Sequence, residues 1–420
     1  MERRNIGATA LAVGAVGLGC MPMNWAYTTS EQRGDRSLRA VHAALDAGVT
    51  LLDTADMYGP FTNELLLGRV LKERRADAFV ATKCGLLVGD GHVVANGRPG
   101  YVRRACDASL RRLGTEVIDL YQLHRADPEV PVEETWGAMA ELVTAGKVRA
   151  LGWCAVGARP ARRGGAVFPA PGRGTVRRSP LFRRAAGTSP GTAAAPGTPR
   201  GAHSAPGTVR VPPGAGRTAP GAATGTAPRA APAGPGPGPV PGSVPGLPVA
   251  PDVFDGTIRQ LERVQQVFPV SAVQAELSVW SPEALARLLP WCASRGVGFL
   301  AAMPLGNGFL TGTLTPGGGF EPDDPRARHP RFTAEMMAAN QPLVAGLRRV
   351  AERHGGAAAG VTPAQVALAW TLAQGPQVVP VPGTKRAHWA VENARAAGLA
   401  LTAGDLAEIA ALPPARDSWD

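Results

Sequence analysis

A (β/α)8 TIM barrel of α/β class, interrupted after its fifth strand by a long Pro/Gly/Ala/Arg-rich insertion, is the architecture that three features of this chain require. One unit recurs: an amphipathic helical stretch, a glycine, then a short apolar run. The apolar runs lack strict polar alternation, so they are buried on both faces, and the helices between them require parallel crossovers. Eight such runs occur, near Val16, Leu52, Val80, Leu120, Leu151, Val273, Phe299 and Val379. Eight strand and helix units close a barrel. The open doubly wound sheet lacks its phosphate loop here, because no GxGxxG follows a strand and GLGC at Gly17 to Cys20 is too little.

The first run leads into Met21-Pro22-Met23-Asn24-Trp25, which reads as a strand continuing into an active-site loop. Arg3 and Arg4, the mostly apolar stretch from Ile6 to Gly19, and Leu18-Gly19-Cys20 resemble a twin-arginine lipoprotein signal. That reading is set aside, since a signal would be followed by a sequence that stands alone without it. Next, Leu38, Val41 and Leu45 fall at helical spacing, Gly48 can take the left-handed conformation that ends a helix, and VTLLD follows. Val102, Ala105, Cys106, Leu110 and Leu113 end at Gly114 before VIDLYQL, and Trp136, Met139, Ala140 and Val143 end at Gly146 before KVRALGW. Later copies end at Gly296 before VGFLAAM and at Gly375 before QVVPVPG.

This order divides the chain into residues 1-154, carrying strands one to five, residues 155-250, and residues 251-420, carrying strands six to eight and the closing helices. The middle block of 96 residues has no Asp, Glu or Lys, but twelve arginines and about half of the 40 prolines. It alone accounts for the formal charge of +11, leaving the remainder near −1, so the basic balance says nothing about partners of the folded part. Its arginines lack interleaved aromatics, and no specific nucleic acid is expected. Strings such as PAGPGPGPVPGSVPGLP have almost no apolar surface to offset the entropy of ordering, and disorder is the expectation. Nothing in a barrel calls for so long a loop, which favours an out-of-frame reading of a GC-rich gene over a genuine insertion. The other 324 residues suit one large domain. No stretch approaches a membrane span. The five cysteines are odd in number and free of CxxC pairs, which favours reduced thiols in a cytoplasm over disulfides or a zinc site.

Catalytic groups of such barrels project from the C-terminal strand ends. Those ends carry Asp53, Lys83 and His124, with Tyr58 a few residues beyond Asp53. Singly, Asp53 reads as a helix cap and Lys83 as a solvated strand end; their joint placement is what points to a site. A carboxylate keeps the ammonium charged, the ammonium favours the phenolate and lowers the Tyr pKa, and a neutral His orients a carbonyl. Lys385 and Arg386 beside Gly383-Thr384 at a helix start form an anion site. Cys84 reads as a buried, inert thiol, and Trp25 and Trp280 as core aromatics or substrate-pocket walls.

GLGCMPM, LLDTADMYGPFTNELLLGRVLK, ATKCG, DLYQLHR, GKVRALGW, VSAVQAELSVW, PLGNGFLTG and VPVPGTKR, in this order, resemble the aldo-keto reductase superfamily, nearest its bacterial aldehyde/ketone reductase branch. The resemblance covers everything except the block. It implies NADPH-dependent reduction of aldehydes or ketones to alcohols, with Asp53, Tyr58, Lys83 and His124 as the tetrad and Tyr58 as general acid. It also implies NADP(H) bound without a Rossmann fold. Gln274 would hold the nicotinamide carboxamide, Pro304, Leu305 and Gly306 would line the pyrophosphate, and Gly383, Thr384, Lys385 and Arg386 would surround the 2′-phosphate. Glu392 and Asn393 would contact adenine. Two positions depart from the family: Cys154-Ala155 stands where Ser followed by Asn or Glu supports the amide, and Asn307 replaces an Arg of the pyrophosphate loop. The implied partner is a small-molecule carbonyl substrate, with no membrane, and a monomer or weak homo-oligomer is expected. The alternative is a nicotinamide-nucleotide-binding or catalytically impaired relative.

If the block is dispensable, replacing residues 159–248 with a loop of about five residues leaves a soluble protein with one cooperative thermal transition. An insoluble product, beside a folded intact chain, contradicts this.

Overall fold

The computed structural model describes residues 1–25, 27, 34–89, 92–156 and 254–416. In chain order the first half comprises β1 (Arg3–Asn5), β2 (Ala12–Gly14), β3 (Leu18–Gly19), α1 (Gly34–Asp46), β4 (Leu51–Asp53), α2 (Thr62–Arg74), β5 (Phe79–Cys84), β6 (Leu86–Gly89), β7 (His92–Ala95), α3 (Pro99–Leu113), β8 (Ile118–Leu123), α4 (Val132–Thr144) and β9 (Val148–Cys154). The second half comprises α5 (Asp255–Gln265), β10 (Ala272–Glu276), α6 (Leu288–Ser294), β11 (Gly298–Ala302), α7 (Ala334–Ala339), α8 (Gln341–Arg353), α9 (Gly356–Ala359), α10 (Pro363–Leu372), β12 (Val378–Val381), α11 (Ala387–Arg395) and α12 (Ala403–Ala410).

Eight parallel strands make one sheet in the order β12-β11-β10-β9-β8-β5-β4-β3. Its edges meet: Gly19 bridges Gly383 in parallel, and the Gly17 and Gly19 N–H groups donate to the Pro380 and Pro382 carbonyls at 2.9 and 3.0 Å. A side chain would block this seam, since a Cβ on Gly19 would lie 3.2 Å from Gly383 Cα. The fold is therefore a barrel with helices outside it.

Strand pleating then sorts the side chains with period two. Leu52, Val80, Tyr121, Leu151, Val273 and Phe299 belong to the large cluster that includes the helices' apolar faces. Their neighbours Leu51, Phe79, Leu120, Ala150, Leu300 and Val379 form a separate cluster inside the barrel. Further along the same inward rows, two residues beyond Leu51, Ala81, Leu120 and Ala272 of that cluster, stand Asp53, Lys83, Gln122 and Gln274, all buried. A polar layer thus caps an apolar one at the C-terminal mouth.

The other end holds an element that the helix-and-strand pattern does not reveal. The first barrel strand, expected near Val16, is the short β3, and residues 12–14 before it pair antiparallel with β1. Ile6 and Val13 of this hairpin join the inner cluster and plug the barrel floor. Arg4 anchors it by donating to the Leu372, Gly375 and Val378 carbonyls at 3.1, 2.8 and 2.6 Å. Arg4 thus fastens the hairpin to the barrel, whereas Arg3 stays exposed.

The expected start of the insertion at Ala155 is too early. Ala155 is buried, and its N–H donates to the Gln274 carbonyl at 2.7 Å, so it prolongs the line of β9. Apart from Ala155 and Val156, the expected block and its expected disorder lie outside the described residues, as do residues 251–253. Among the described residues no helix is long and apolar enough to cross a membrane.

Candidate active site

Asp53 ends β4, Lys83 lies in β5, His124 follows β8, and Tyr58 sits in the turn between β4 and α2. All four are brought together, none more than 9% exposed. Lys83 Nζ donates to both Asp53 oxygens at 2.8 Å and to the Thr54 carbonyl at 2.9 Å, and stands 3.5 Å from the Tyr58 hydroxyl. The Tyr58 and His124 rings meet edge to face, with centroids 5.9 Å apart.

Two amides complete the shell of Asp53. Gln122 Nε2 donates to Oδ1 at 3.2 Å and Gln274 Nε2 to Oδ2 at 3.1 Å. Gln122 is a site residue that sequence reasoning missed, although its place two residues before His124 in an inward row is a usable signal. Its reach requires Gly152, where a Cβ would lie 2.9 Å from Gln122 Cγ. Asn63 is a second omission. It is buried, accepts from Thr54 Oγ1 at 2.6 Å and donates to the Cys20 carbonyl at 2.8 Å, while its N–H donates to the Tyr58 carbonyl at 3.3 Å. Glu64, also buried, accepts from Thr82 Oγ1 and Arg112 Nε, both at 2.7 Å, and so fixes the start of α2 against β5 and α3.

The electrostatics hold the tetrad in defined protonation states. Burial would lower the Lys83 ammonium, but the Asp53 carboxylate that it bonds outweighs this and raises Lys83 above the ordinary lysine range. Burial, then Lys83 and Arg125, push His124 well below its usual value, so it is a neutral imidazole at neutral pH. Its Nδ1 is buried without a hydrogen-bond partner among the described residues. The expected lowering of Tyr58 is corrected: burial raises it, and Lys83 opposes that only in part. Tyr58 is therefore a protonated phenol, a donor rather than a phenolate.

The remaining expected residues fall in three groups. Cys154 lies beside Gln274 in the strand register, buried, its thiol raised by burial. Trp25 packs on the cluster of Ala55, Met57, Tyr58 and Leu86, together with Val88 and Ala95 of the β6–β7 hairpin. Trp280, the other expected wall, is a core aromatic instead: it is 2% exposed, 4.3 Å from the Phe309 ring and under the Arg331 guanidinium. Cys84 is buried with its thiol pushed up by burial.

Along the expected nucleotide path, Pro304 and Leu305 lead into a left-handed run at Gly306, Asn307 and Gly308, whose φ values are 54, 52 and 97°. The Gly306 and Gly308 N–H groups bond to Met303 and Leu305 carbonyls. Gly383 closes the barrel seam, and Thr384 Oγ1 accepts the Arg386 N–H at 3.1 Å at the start of α11. Lys385 is buried, its Nζ donating to the Tyr27 carbonyl at 2.8 Å, and Arg386 stacks over the Trp389 ring at 4.4 Å. Tyr27 in turn donates to Asn307 Oδ1 at 3.0 Å. Asn393 is buried, whereas the Glu392 carboxylate accepts from Thr362 Oγ1 at 2.8 Å and so braces the N-terminus of α10.

Residues 15–163 and 254–413 match the Aldo/keto reductase family, and the chain belongs to that family. Solved structures of similar fold include the glycerol dehydrogenase from Gluconobacter oxydans, at 23% identity and TM-score 0.65, covering 97% of this chain and 93% of that one. The holo form of an aldo-keto reductase from Bacillus halodurans matches at 19% identity and TM-score 0.59, covering 97% and 95%. An aldo/keto reductase from Klebsiella pneumoniae, in complex with NADP and acetate, matches at 18% identity and TM-score 0.57, covering 97% and 94%.

The neutral state of His124 has a measurable consequence. An unfolded imidazole takes a proton near ~6.5 while the folded one does not, so stability is lost as pH falls through that value. We predict that His124→Asn weakens the loss of urea resistance between about pH 7.5 and 5.5. An unchanged pH dependence contradicts a buried neutral His124.

Proposed function

We propose that this protein reduces aldehydes or ketones to alcohols at the expense of NADPH, with Tyr58 as the general acid. The carrying observation is the row Asp53, Lys83, Tyr58: a fixed ammonium stands 3.5 Å from a phenol that burial keeps protonated. The phenol supplies the proton to a carbonyl oxygen, and the ammonium stabilises the negative charge this leaves on Tyr58. Asp53 holds the ammonium in place and keeps it charged. Neutral His124 donates a hydrogen bond to the same oxygen without competing as an acid, which orients the carbonyl.

The residues present fit a nicotinamide. Gln274 Oε1 is buried beside Asp53 and has no hydrogen-bond partner among the described residues, which makes it an acceptor for a carboxamide NH2. When bound, the cofactor supplies hydride to the carbonyl carbon. Gln274 and Cys154 would hold its amide end, Pro304 to Gly306 its pyrophosphate, and Thr384, Lys385 and Arg386 its 2′-phosphate. Lys385 would then exchange the Tyr27 carbonyl for phosphate oxygen. NADP in the Klebsiella pneumoniae relative supports this choice. Trp25, Met57, Leu86 and Val88 offer the substrate an apolar wall, which suits carbonyl compounds with apolar or aromatic bodies. This accords with the bacterial aldehyde/ketone reductase branch.

Tyr58→Phe should lower kcat for an aromatic aldehyde by about 10²- to 10⁴-fold, the usual worth of a general acid, and leave the NADPH Kd nearly unchanged. A variant that keeps a third or more of the native rate removes Tyr58 from this role; NADPH binding without turnover in the native protein favours a binding-only relative.

NADPH should also bind at least about tenfold more tightly than NADH, since each charge-assisted contact from Lys385 and Arg386 contributes roughly 1.5–3 kcal/mol. Equal dissociation constants at matched ionic strength contradict the phosphate assignment.

A further inference from the structure

One buried carboxyl at the mouth takes no part in the chemistry above. Asp56 is 2% exposed and lies in the turn between Asp53 and Tyr58. Its N–H donates to the Lys83 carbonyl at 3.2 Å, and its own carbonyl accepts the Phe61 N–H at 2.8 Å. The turn that carries the acid is therefore tied at Asp56 to the strand that carries the ammonium. The side chain is anchored on the opposite side, where the Tyr101 hydroxyl, in the first turn of α3, donates to Oδ2 at 3.3 Å. Oδ1 is buried without a hydrogen-bond partner among the described residues. Among the described residues no ion pair compensates the carboxyl, and the nearby Arg112 bonds Glu64 at 2.7 Å.

We propose that Asp56 is a positioning residue for proton transfer: as a neutral acid it stays packed in the turn before Tyr58, tied to Tyr101, and a charge on its buried Oδ1, which has no donor among the described residues, drives the carboxylate towards water and loosens Tyr58 from its place beside Lys83 and His124. The groups that face it are Glu64 from α2, Tyr101 and Arg112 from α3, Cys84 from β5 and Tyr121 from β8. Only Arg112 among them favours a charged Asp56 as a cation. Burial and then Glu64 push the carboxyl up to about 8, against Arg112, the Met57 N–H and Tyr101. Burial raises Tyr58 as well, and beyond this value, so an alkaline loss of rate near 8 belongs to Asp56 and not to the acid itself.

The inference rests on the carbonyl-reduction reading, and its test carries readouts that do not need turnover. In the native holoenzyme, kcat should fall with a midpoint near 8, and the infrared C=O band of a protonated carboxyl should fade with the same midpoint. In Asp56→Asn the band and the alkaline fall should both be missing, with the NADPH Kd within about threefold of native. The Tm of Asp56→Asn should also gain on the native Tm as pH rises towards 8. The reason is linkage: the folded native carboxyl keeps a proton that the unfolded chain has lost above its ordinary pKa, so native stability falls over that window. Tyr101→Phe, which removes a donor to the ionised form, should move the alkaline fall to higher pH. Persistence of the alkaline fall in Asp56→Asn overturns the proposal, as does a native protein without a titrating carboxyl band. A native protein that shows the band but no turnover with any aldehyde overturns the carbonyl-reduction reading instead.

Discussion

Lys83 and Asp53 face each other at 2.8 Å with 1% and 5% exposure, and a pair of ions so far from water is stable only when its remaining bonding capacity is filled. That requirement organises the mouth of the barrel. The ammonium uses the Thr54 carbonyl as a further acceptor, and the carboxylate takes one amide from Gln122 and another from Gln274. These groups come from four strands and the turn after one of them. Every one depends on strand register, because a slip of one residue would turn an inward side chain to the helices.

The pair also explains features that carry no chemistry themselves. Gly152 is small because Gln122 must cross in front of it to reach Asp53. Asn63 and Glu64 bind the α2 start to Cys20, Thr54, Thr82 and Arg112, which fixes the turn on which Tyr58 stands. Beneath the polar layer, the inner apolar cluster and the Ile6 plug keep water from the floor of the site. A dry floor strengthens each electrostatic contact above it, and it keeps His124 neutral and Tyr58 protonated.

Much of this was legible in the chain because two periodicities coincide. Apolar runs located seven of the eight barrel strands closely, five of them behind helical spacing that ends at a glycine, and reading only strand ends isolated Asp53, Lys83 and His124. The misses have physical causes. The hairpin of β1 and β2 contains too few residues to show alternation, and its pairing is local to a plug rather than to the barrel. Gln122 and Asn63 act through other side chains, and single-sequence patterns do not record such contacts. Trp280 resembles a loop residue by position, yet Phe309 and Arg331 from later segments enclose it. Composition changes abruptly at Ala155, but backbone hydrogen bonding continues for that residue, so composition alone marked the boundary early.

The central claim is that the Asp53-held ammonium is what makes Tyr58 an effective proton donor in an already formed nicotinamide site. Single-turnover reduction of an aromatic aldehyde by Lys83→Met loaded with NADPH tests this most directly, with circular dichroism to verify the fold. The account requires the rate to fall by about 10²-fold or more while the NADPH Kd stays within about threefold. A folded Lys83→Met protein that reduces the aldehyde at the native rate would contradict it.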